Sequence, residues 1–377
     1  MTRVLQVPYP PAGHAEPMAA LGERLREDGH AVTVFAESDT TRWSLNKPVS
    51  PEMYASADGA ALARHLFLGD IADMTRDIVD LADACGAELI VADVMMPGGG
   101  LAAELAGLPW VSLSCSPVPT PDFYRVFIPD HVAAAFTARS TREALGLPLD
   151  DDRSLLGRIS DRLHLIPTTP RFADFPELPA QVALTGPFAP LPPQPPLPRA
   201  EPPSGRPTVA VTVSTHSVAT LGRRIFVQDR YLNAAVEALE GLEVTALVTH
   251  AGTGRQPDNV SFLGRTPHDA LFDRCAAVVT HCGWGSVSRA LVRGLPLVLV
   301  PISGDQPYIA ARCADLGVGV ALEPETVTAA ELRDAVRAVL EEPRFRKAAA
   351  ELAAELRELA PLATASSMIA SIRALEG

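Results

Sequence analysis

Short runs of apolar residues alternate with longer amphipathic segments along the whole chain. Continuous apolar runs of this kind are typical of strands that are buried on both faces of a sheet. The segments between them have a helical period: in residues 71–85, Ile71, Met74 and Ile78 share one face, and a row of aspartates forms a solvated face. The strands predicted in this way are residues 4–7, 31–36, 89–92, 110–113, 209–213, 244–248, 276–280, 297–300 and 317–322. Strands that alternate with helices predict an α/β fold with parallel sheets.

One segment has a composition unlike the rest of the chain. Residues 187–207 are rich in proline, which neither donates to a sheet ladder nor continues a helix, so they predict a semi-rigid linker. The linker separates a first domain, residues 1–186, from a second domain, residues 208–360. After a proline break, residues 361–377 contain a predicted C-terminal helix.

Composition and charge narrow the class of protein. Of the 377 residues, 47% are apolar and 20% are charged, which supplies enough apolar side chains for two cores. The formal charge of −13 argues against binding to nucleic acid or anionic lipid, since both need clustered Lys and Arg. Five widely spaced cysteines fit neither a disulfide framework nor a zinc ribbon. No signal peptide and no apolar run long enough for a bilayer is visible, so we expect a soluble, cytoplasmic protein.

The first candidate residues follow the first predicted strand. In the segment PPAGHAEP at residues 10–17, Gly13 permits a tight turn, and His14 then lies at the mouth of the strand, just before a helix. Imidazole titrates near neutral pH and serves as a general base when a carboxylate holds its tautomer. Asp93 follows the run at residues 89–92, a strand expected beside the first one in a doubly wound sheet. The alternative stays open here: His14 as a helix-capping loop residue and Asp93 as a turn former.

A second group of candidates lies in the second half of the chain. Residues 280–286, THCGWGS, lead from a strand through two glycines into a helix. This arrangement directs backbone N–H groups and the positive end of the helix dipole towards an anion. His281 and Ser286 add side-chain donors, and the segments GLP at 294–296 and DQ at 305–306 follow. Neither a Walker lysine nor the acidic residue of a dinucleotide-binding motif accompanies the glycines.

Together, these segments resemble the donor-binding signature of the GT-B glycosyltransferases of family 1, which include bacterial antibiotic glycosyltransferases. The resemblance runs over residues 262–319, with the elements H-x-G-x-G-S, G-x-P and D-Q in order, and the G-H-x-x-P element at residues 13–17 also fits it. It implies two facing Rossmann-like domains with an interdomain cleft, the first binding the acceptor and the second the nucleotide sugar. It also implies that the C-terminal helix crosses back to the N-terminal domain.

The resemblance implies an inverting, metal-independent transfer of a sugar from a dTDP- or UDP-sugar to a hydroxyl, or an aromatic carbon, of a hydrophobic natural product. His14 is then the general base and Asp93 its partner, and no cofactor is needed besides the nucleotide-sugar co-substrate. Asp150–Asp152 superficially resembles a metal-binding D-x-D motif but follows no buried strand, so no metal is expected. The implied donor-binding residues are His281, Gly283, Trp284, Gly285, Ser286, Thr215, His216 and Ser217 for the diphosphate, Arg265 and Thr266 for the nucleobase, and Asp305 and Gln306 for the sugar.

Two departures from the family pattern concern the donor. Residues 214–217, STHS, stand where the family often has Gly-Ser, and they could still donate to a phosphate. Arg289 stands where many members have a glutamate that binds the ribose hydroxyls, which favours a dTDP-sugar over a UDP-sugar. For the acceptor, the sequence offers apolar candidates in the first domain, as small-molecule sites require. These are Met95, Phe123 and Tyr124.

Two other classes of function compete with this interpretation. A non-catalytic protein of the same fold that binds or activates a partner glycosyltransferase is the main alternative, although such a protein has no need of a base. A nicotinamide-dependent oxidoreductase is the second, and the absence of G-x-G-x-x-G after the first strand argues against it. The expected partners are a nucleotide-sugar donor and a small hydrophobic aglycone, with no nucleic acid and no membrane, and a homodimer is left open.

Overall fold

A computed structural model describes residues 1–10, 12–35, 71–118, 138–149, 158–175, 177–188, 205–213, 223–252, 256–302 and 304–374. The chain forms two compact units, each with its own sheet. Unit 1 comprises Met1–Pro190 together with Ala360–Gly377, and unit 2 comprises Leu191–Leu359.

Unit 1 is built on a six-stranded sheet with the order β2-β1-β3-β4-β5-β6, in which all neighbours are parallel. Its elements in chain order are β1 (Arg3–Val7), α1 (Ala12–Glu27), β2 (Ala31–Val34), α2 (Ile71–Cys85), β3 (Leu89–Asp93), α3 (Pro97–Ala106), β4 (Trp110–Leu113), α4 (Ala138–Leu145), β5 (His164–Ile166), α5 (Pro170–Ala173) and β6 (Val182–Leu184). β1 pairs with β2 on one side and with β3 on the other. The strand order therefore reverses between β1 and β3, which is where open α/β sheets bind ligands.

Unit 2 also has a six-stranded parallel sheet, with the order β12-β11-β10-β7-β8-β9. Its elements are β7 (Thr208–Thr212), α6 (Arg223–Leu239), β8 (Thr245–Val248), β9 (Val260–Phe262), α7 (His268–Phe272), β10 (Ala277–Thr280), α8 (Trp284–Val292), β11 (Leu297–Leu299), α9 (Gln306–Asp315), β12 (Gly319–Ala321), α10 (Ala329–Glu341) and α11 (Pro343–Arg357). Here the order reverses between β7 and β10. The segments that follow these two strands therefore meet at the switch point of unit 2.

The two sheets confirm the predicted α/β class with parallel strands. Every residue of β3 and of β7 is buried, as expected of strands with helices on both faces. α3 lies so close to β3 that a Cβ added to Gly99 would come within 2.4 Å of the Ala92 Cβ. Glycine at this position therefore lets the helix pack against the strand one residue before Asp93.

The last helix, α12 (Pro361–Ala374), belongs to unit 1. Its buried Ile369 lies in the same apolar cluster as Leu21 of α1. The Ser366 hydroxyl donates to Asp28 Oδ2 at 2.6 Å, just beyond the end of α1. The C-terminal segment therefore completes the core of the first unit.

α1 begins earlier than the sequence pattern predicts. Gly13 was expected in a tight turn with His14 just before the helix, whereas both lie in the first turn of α1, and the φ of Gly13 is not positive. The first backbone N–H groups of a helix have no partner inside it, so a start among prolines and glycines loses little hydrogen bonding. Pro17 also lies inside α1. The buried Met18 and Leu21 fix the helix on the sheet.

Three short strands were not predicted from the sequence: β5, β6 and β9, each of three residues. β6 and β9 are edge strands and are only partly buried. None of the five cysteines, all of which the structure describes, forms a disulfide bond. Among the described residues, no helix is both long enough and apolar enough to cross a membrane.

Candidate functional site

The switch point of unit 1 brings His14 and Asp93 together. His14 extends from the first turn of α1, after β1, and Asp93 is the last residue of β3. His14 Nδ1 lies 2.8 Å from Asp93 Oδ2. An ionised carboxylate can only accept, so Nδ1 carries the proton, and the Nε2 of a neutral ring keeps its lone pair. The Asp93 side chain is fully buried, whereas that of His14 is 25% exposed, so the imidazole is the accessible member of the pair.

Asp93 is held by further donors. The Met95 N–H donates to Asp93 Oδ1 at 2.8 Å, across the turn that follows β3. The Cys115 thiol lies 3.3 Å from Asp93 Oδ2 and 3.5 Å from the His14 carbonyl oxygen. These contacts satisfy a buried carboxylate that would otherwise be costly and fix the orientation of the oxygen facing His14.

Two residues of this group, Tyr9 and Cys115, were missed by the sequence reasoning. The Tyr9 ring meets the His14 ring edge-on, with centroids 4.8 Å apart. Burial, and then the charge of Asp93, raise the pKa of the Tyr9 phenol, which therefore stays neutral. Tyr9 follows β1 and Cys115 follows β4. The rule that favoured His14 and Asp93, inspection of residues just beyond each strand, would have found both.

In unit 2, the segment from β10 into α8 forms a tight connection. Cys282 has a φ of 70°, an uncommon conformation for a residue with a side chain. The buried His281 folds over Gly283, where an added Cβ would lie 2.6 Å from His281 Nε2. A larger residue at position 283 would therefore displace the His281 ring. Gly283 is also the N-cap of α8 and provides no side-chain cap, so the helix terminus is suited to an anion.

Ser286, in the first turn of α8, contacts α7. Its Oγ lies 3.2 Å from Nδ1 of His268. Burial, and then the charge of Arg289, lower the pKa of His268 from 6.5 to about 3, so this ring is neutral near pH 7. His268 therefore orients the Ser286 hydroxyl without adding charge.

Arg289 is fully engaged by its own unit. Its Nε donates to Asp269 Oδ2 at 3.1 Å, and its Nη1 donates to the Gly285 carbonyl at 2.9 Å. Arg293 also pairs with Asp269, at 3.1 Å. This group ties α7 to α8, and it accounts for the arginine at the position where the sequence pattern led us to expect a glutamate.

Comparison with known proteins identifies the class. Residues 234–370 match the family model of the erythromycin biosynthesis protein CIII-like C-terminal domain. The chain is 28% identical to 4'-demethylrebeccamycin synthase from Lentzea aerocolonigenes, in an alignment that covers 93% of this chain and 94% of that protein. Among solved structures, it is similar to the glycosyltransferase of kitacinnamycin, with a TM-score of 0.75 and 22% identity over 98% of both chains. It is also similar to glycosyltransferase VinC in complex with dTDP, with a TM-score of 0.69 and 24% identity over 97% of this chain and 98% of that one.

The chain is a glycosyltransferase with the GT-B fold. Further curated glycosyltransferases are 35–39% identical to it, over segments that cover about a quarter to a third of their own length. The comparisons do not favour a non-catalytic accessory protein or a nicotinamide-dependent oxidoreductase.

The other predicted residues of this glycosyltransferase lie as follows. Thr266 follows β9, and its Oγ1 donates to the Leu263 carbonyl at 3.2 Å; Arg265 precedes it. Asp305 is the N-cap of α9, and the neighbouring Gln306 accepts the Ile302 N–H through Oε1 at 2.8 Å. Met95 is half-buried beside Asp93. Thr215, His216, Ser217, Phe123, Tyr124 and the run Asp150–Asp152 lie outside the described residues.

Proposed function

We propose that the chain is an inverting glycosyltransferase that moves a sugar from a dTDP- or UDP-sugar to a hydroxyl of a hydrophobic natural product. The observation that carries the proposal is the 2.8 Å contact between His14 Nδ1 and Asp93 Oδ2 at a switch point. The similar proteins named for rebeccamycin and kitacinnamycin support a natural product as the acceptor. The similar structure that contains dTDP supports a nucleotide diphosphate as the leaving group.

In the proposed reaction, His14 is the general base. Its Nε2 takes the proton of the acceptor hydroxyl, whose oxygen attacks the anomeric carbon of the donor sugar. The bond from that carbon to the diphosphate breaks on the opposite face, so a single displacement inverts the configuration. The buried charge of Asp93 stabilises the imidazolium that forms and holds the proton of the neutral ring on Nδ1. Deprotonation of a phenol by the same base also activates its ring carbon, which would serve C-transfer.

The leaving diphosphate is assigned to the α8 terminus of unit 2. Negative charge grows on this group as the glycosidic bond breaks, and prearranged donors stabilise such charge most effectively. His281, the N-terminal end of α8 and the Ser286 hydroxyl provide these donors in our proposal, so no metal is required. Asp305 and Gln306 would contact hydroxyls of the donor sugar, and Arg265 and Thr266 the nucleobase.

A dTDP-sugar is the favoured donor. The Arg289 guanidinium is engaged by Asp269 and by the Gly285 carbonyl, and this position offers no carboxylate to accept a ribose hydroxyl. A deoxyribose has one hydroxyl fewer to satisfy, so dTDP loses less binding free energy than UDP at a site without this carboxylate.

The donor assignment is tested by thermal unfolding of the protein with dTDP, UDP, GDP or NADH. At about a hundred times Kd, a ligand that binds only the folded state stabilises it by roughly 2.7 kcal/mol. For a protein of this size, each kcal/mol raises Tm by about 2–4 °C. We expect the largest shift with dTDP, a smaller shift with UDP and none with NADH. The absence of a shift with both dTDP and UDP would contradict the donor assignment.

The base is tested with His14→Ala. Aglycone panels of macrolides and aromatic polyketides, supplied with dTDP-glucose, would be monitored by mass spectrometry for the added hexose. The loss of a general base typically costs about 10²–10⁴-fold, so transfer to the best acceptor should fall by that factor while the dTDP-induced shift in Tm is retained. His30→Gln, a change in the same unit away from Asp93, should transfer at the normal rate. Unchanged turnover in His14→Ala would remove His14 from the mechanism.

A further inference from the structure

Three different metal-ligating atoms converge in unit 1. One ring nitrogen of His14, a carboxylate oxygen of Asp93 and Cys115 Sγ all lie within 4.8 Å of one another, and among the described residues they form the one such group. Both His14 Nδ1 and Cys115 Sγ contact the same oxygen, Asp93 Oδ2. They follow three adjacent strands, β1, β3 and β4. The Asp93 side chain is fully buried, and Cys115 is 6% exposed.

The donor set has the chemistry of a zinc site. Zn²⁺ binds imidazole nitrogen, thiolate sulfur and carboxylate oxygen, at roughly 2.0–2.3 Å each, which places the ligand atoms of a tetrahedral ion about 3.3–3.6 Å apart. The Cys115 Sγ to Asp93 Oδ2 distance of 3.3 Å is close to this value. The His14 Nδ1 to Asp93 Oδ2 distance of 2.8 Å is shorter, and the partly exposed imidazole has only to move outward by about half an ångström.

We propose that His14, Asp93 and Cys115 bind one Zn²⁺ ion, and that this ion inhibits sugar transfer. Binding at Nδ1 moves the imidazole proton to Nε2, and the Cys115 thiol releases its proton to solvent. Nε2 then carries a hydrogen and has no lone pair for the acceptor hydroxyl, so the proposed base is blocked. Inhibition rests on the proposed function of His14, whereas binding of the ion does not.

The same chemistry excludes the hard divalent cations. Mg²⁺ and Ca²⁺ prefer several oxygen ligands, and this group offers a single carboxylate beside a nitrogen and a sulfur. The site should therefore discriminate Zn²⁺ and Co²⁺ from Mg²⁺. Transfer should survive millimolar Mg²⁺ and treatment with a chelator, and it should be lost when one equivalent of Zn²⁺ is bound.

Binding is tested first, without any activity measurement. Chelator-treated protein is titrated with Co²⁺, and the thiolate-to-cobalt charge-transfer band in the near ultraviolet is recorded. We expect the band to saturate at one ion per chain and to disappear on addition of Zn²⁺. Cys115→Ser should abolish the band and weaken Zn²⁺ binding at least tenfold. Cys85→Ser is the matched control, because the half-buried Cys85 on α2 contacts the Ala82 carbonyl instead, and the band should remain unchanged.

Three results would overturn the proposal. One is the lack of a stoichiometric cobalt–thiolate band in the folded protein. Another is a band that persists in Cys115→Ser, which would identify an adventitious ion elsewhere. The third is Cys115-dependent binding of one Zn²⁺ with undiminished transfer, which would refute inhibition and also count against His14 as the base. Zinc binding that follows the prediction, in a protein that shows no shift with dTDP or UDP, would keep the metal site and reject only the donor assignment.

Discussion

At the scale of single residues, the site in unit 1 depends on one buried carboxylate. Asp93 Oδ1 accepts the Met95 N–H, and Oδ2 faces both His14 Nδ1 and the Cys115 thiol. A buried charge is tolerated only when its oxygens are satisfied in this way. The same oxygen both orients the imidazole and stabilises its protonated form.

Asp93→Asn tests this dependence. In this variant the amide oxygen still accepts the Met95 N–H, so the amide NH2 group faces His14. This group either opposes the Nδ1–H, since both are donors, or favours the tautomer with the proton on Nε2. In both cases His14 no longer acts as the base. We expect transfer to fall by about 10²-fold or more, with the dTDP-induced shift in Tm unchanged because the donor residues lie in unit 2. Asp80→Asn, at an exposed position of α2, should leave the rate unchanged. Equal turnover in Asp93→Asn and Asp80→Asn would rule out the proposed role.

At the scale of elements, α12 ties the end of the chain to unit 1. Its buried face joins the cluster formed by β1, α1 and β4. Asp28 accepts from Ser366 and from Arg24, and these hydrogen bonds, above all the one from Arg24, lower the pKa of its carboxyl. The helix is thus held by an apolar face and by a polar contact next to it.

Ile369→Ala should lower the stability of unit 1. Ile369 is 2% exposed, and removing a buried aliphatic side chain of this size typically costs about 2–5 kcal/mol through lost burial and a residual cavity. Urea unfolding monitored by circular dichroism measures the change. Ser367→Ala lies on the exposed face of the same helix and should stay within about 0.5 kcal/mol of the parent. If both variants behaved alike, packing of α12 would not contribute to the stability of unit 1.

The elements with strong patterns were predictable from the sequence, and the weak ones were not. β1, β3 and β7 consist mainly of apolar residues, and this pattern correctly predicts that the strands are buried. β5, β6 and β9 have three residues each, too few for periodicity to show. Their strands form through backbone pairing with longer neighbours, which a single sequence does not display.

The candidate site followed from one topological rule. The apolar runs that end before His14 and at Asp93 were expected to be neighbours, and the pairing of β1 with β3 confirms this. Cys115 was missed because the rule was applied only to the strands before His14 and Asp93, although the strand before Cys115, β4, was also predicted; β4 pairs with β3. The contacts of Arg289 with Asp269 and Gly285 were likewise not predictable, because the side chain reaches a different helix and an earlier turn.

At the scale of the whole molecule, each unit contains a buried histidine that stays neutral. His164 lies on β5 of unit 1, with its Nδ1 2.9 Å from Ser112 Oγ, and burial lowers its pKa from 6.5 to about 4. His268 lies on α7 of unit 2, with a pKa of about 3. Both side chains are paired with serine hydroxyls, and both would be charged at mildly acidic pH in the unfolded chain.

Mild acid should therefore destabilise both units. In the unfolded chain, both histidines bind a proton as the pH falls below 6.5. In the folded protein, His164 binds one only near pH 4 and His268 only near pH 3. The free energy of unfolding therefore falls as the pH falls. Each histidine contributes a slope of about 1.4 kcal/mol per pH unit, or about 2 kcal/mol between pH 7 and 5. The Glu104 carboxyl, whose pKa is lowered from 4.5 by Arg142, loses its contribution to the free energy of unfolding only at lower pH.

Urea unfolding at pH 7, 6 and 5 measures how steeply the free energy of unfolding falls with pH. His268→Gln should reduce this slope for unit 2 alone, because the amide can still pair with Ser286 and does not titrate. A slope that is unchanged in this variant would mean that the acid sensitivity of unit 2 arises from other groups.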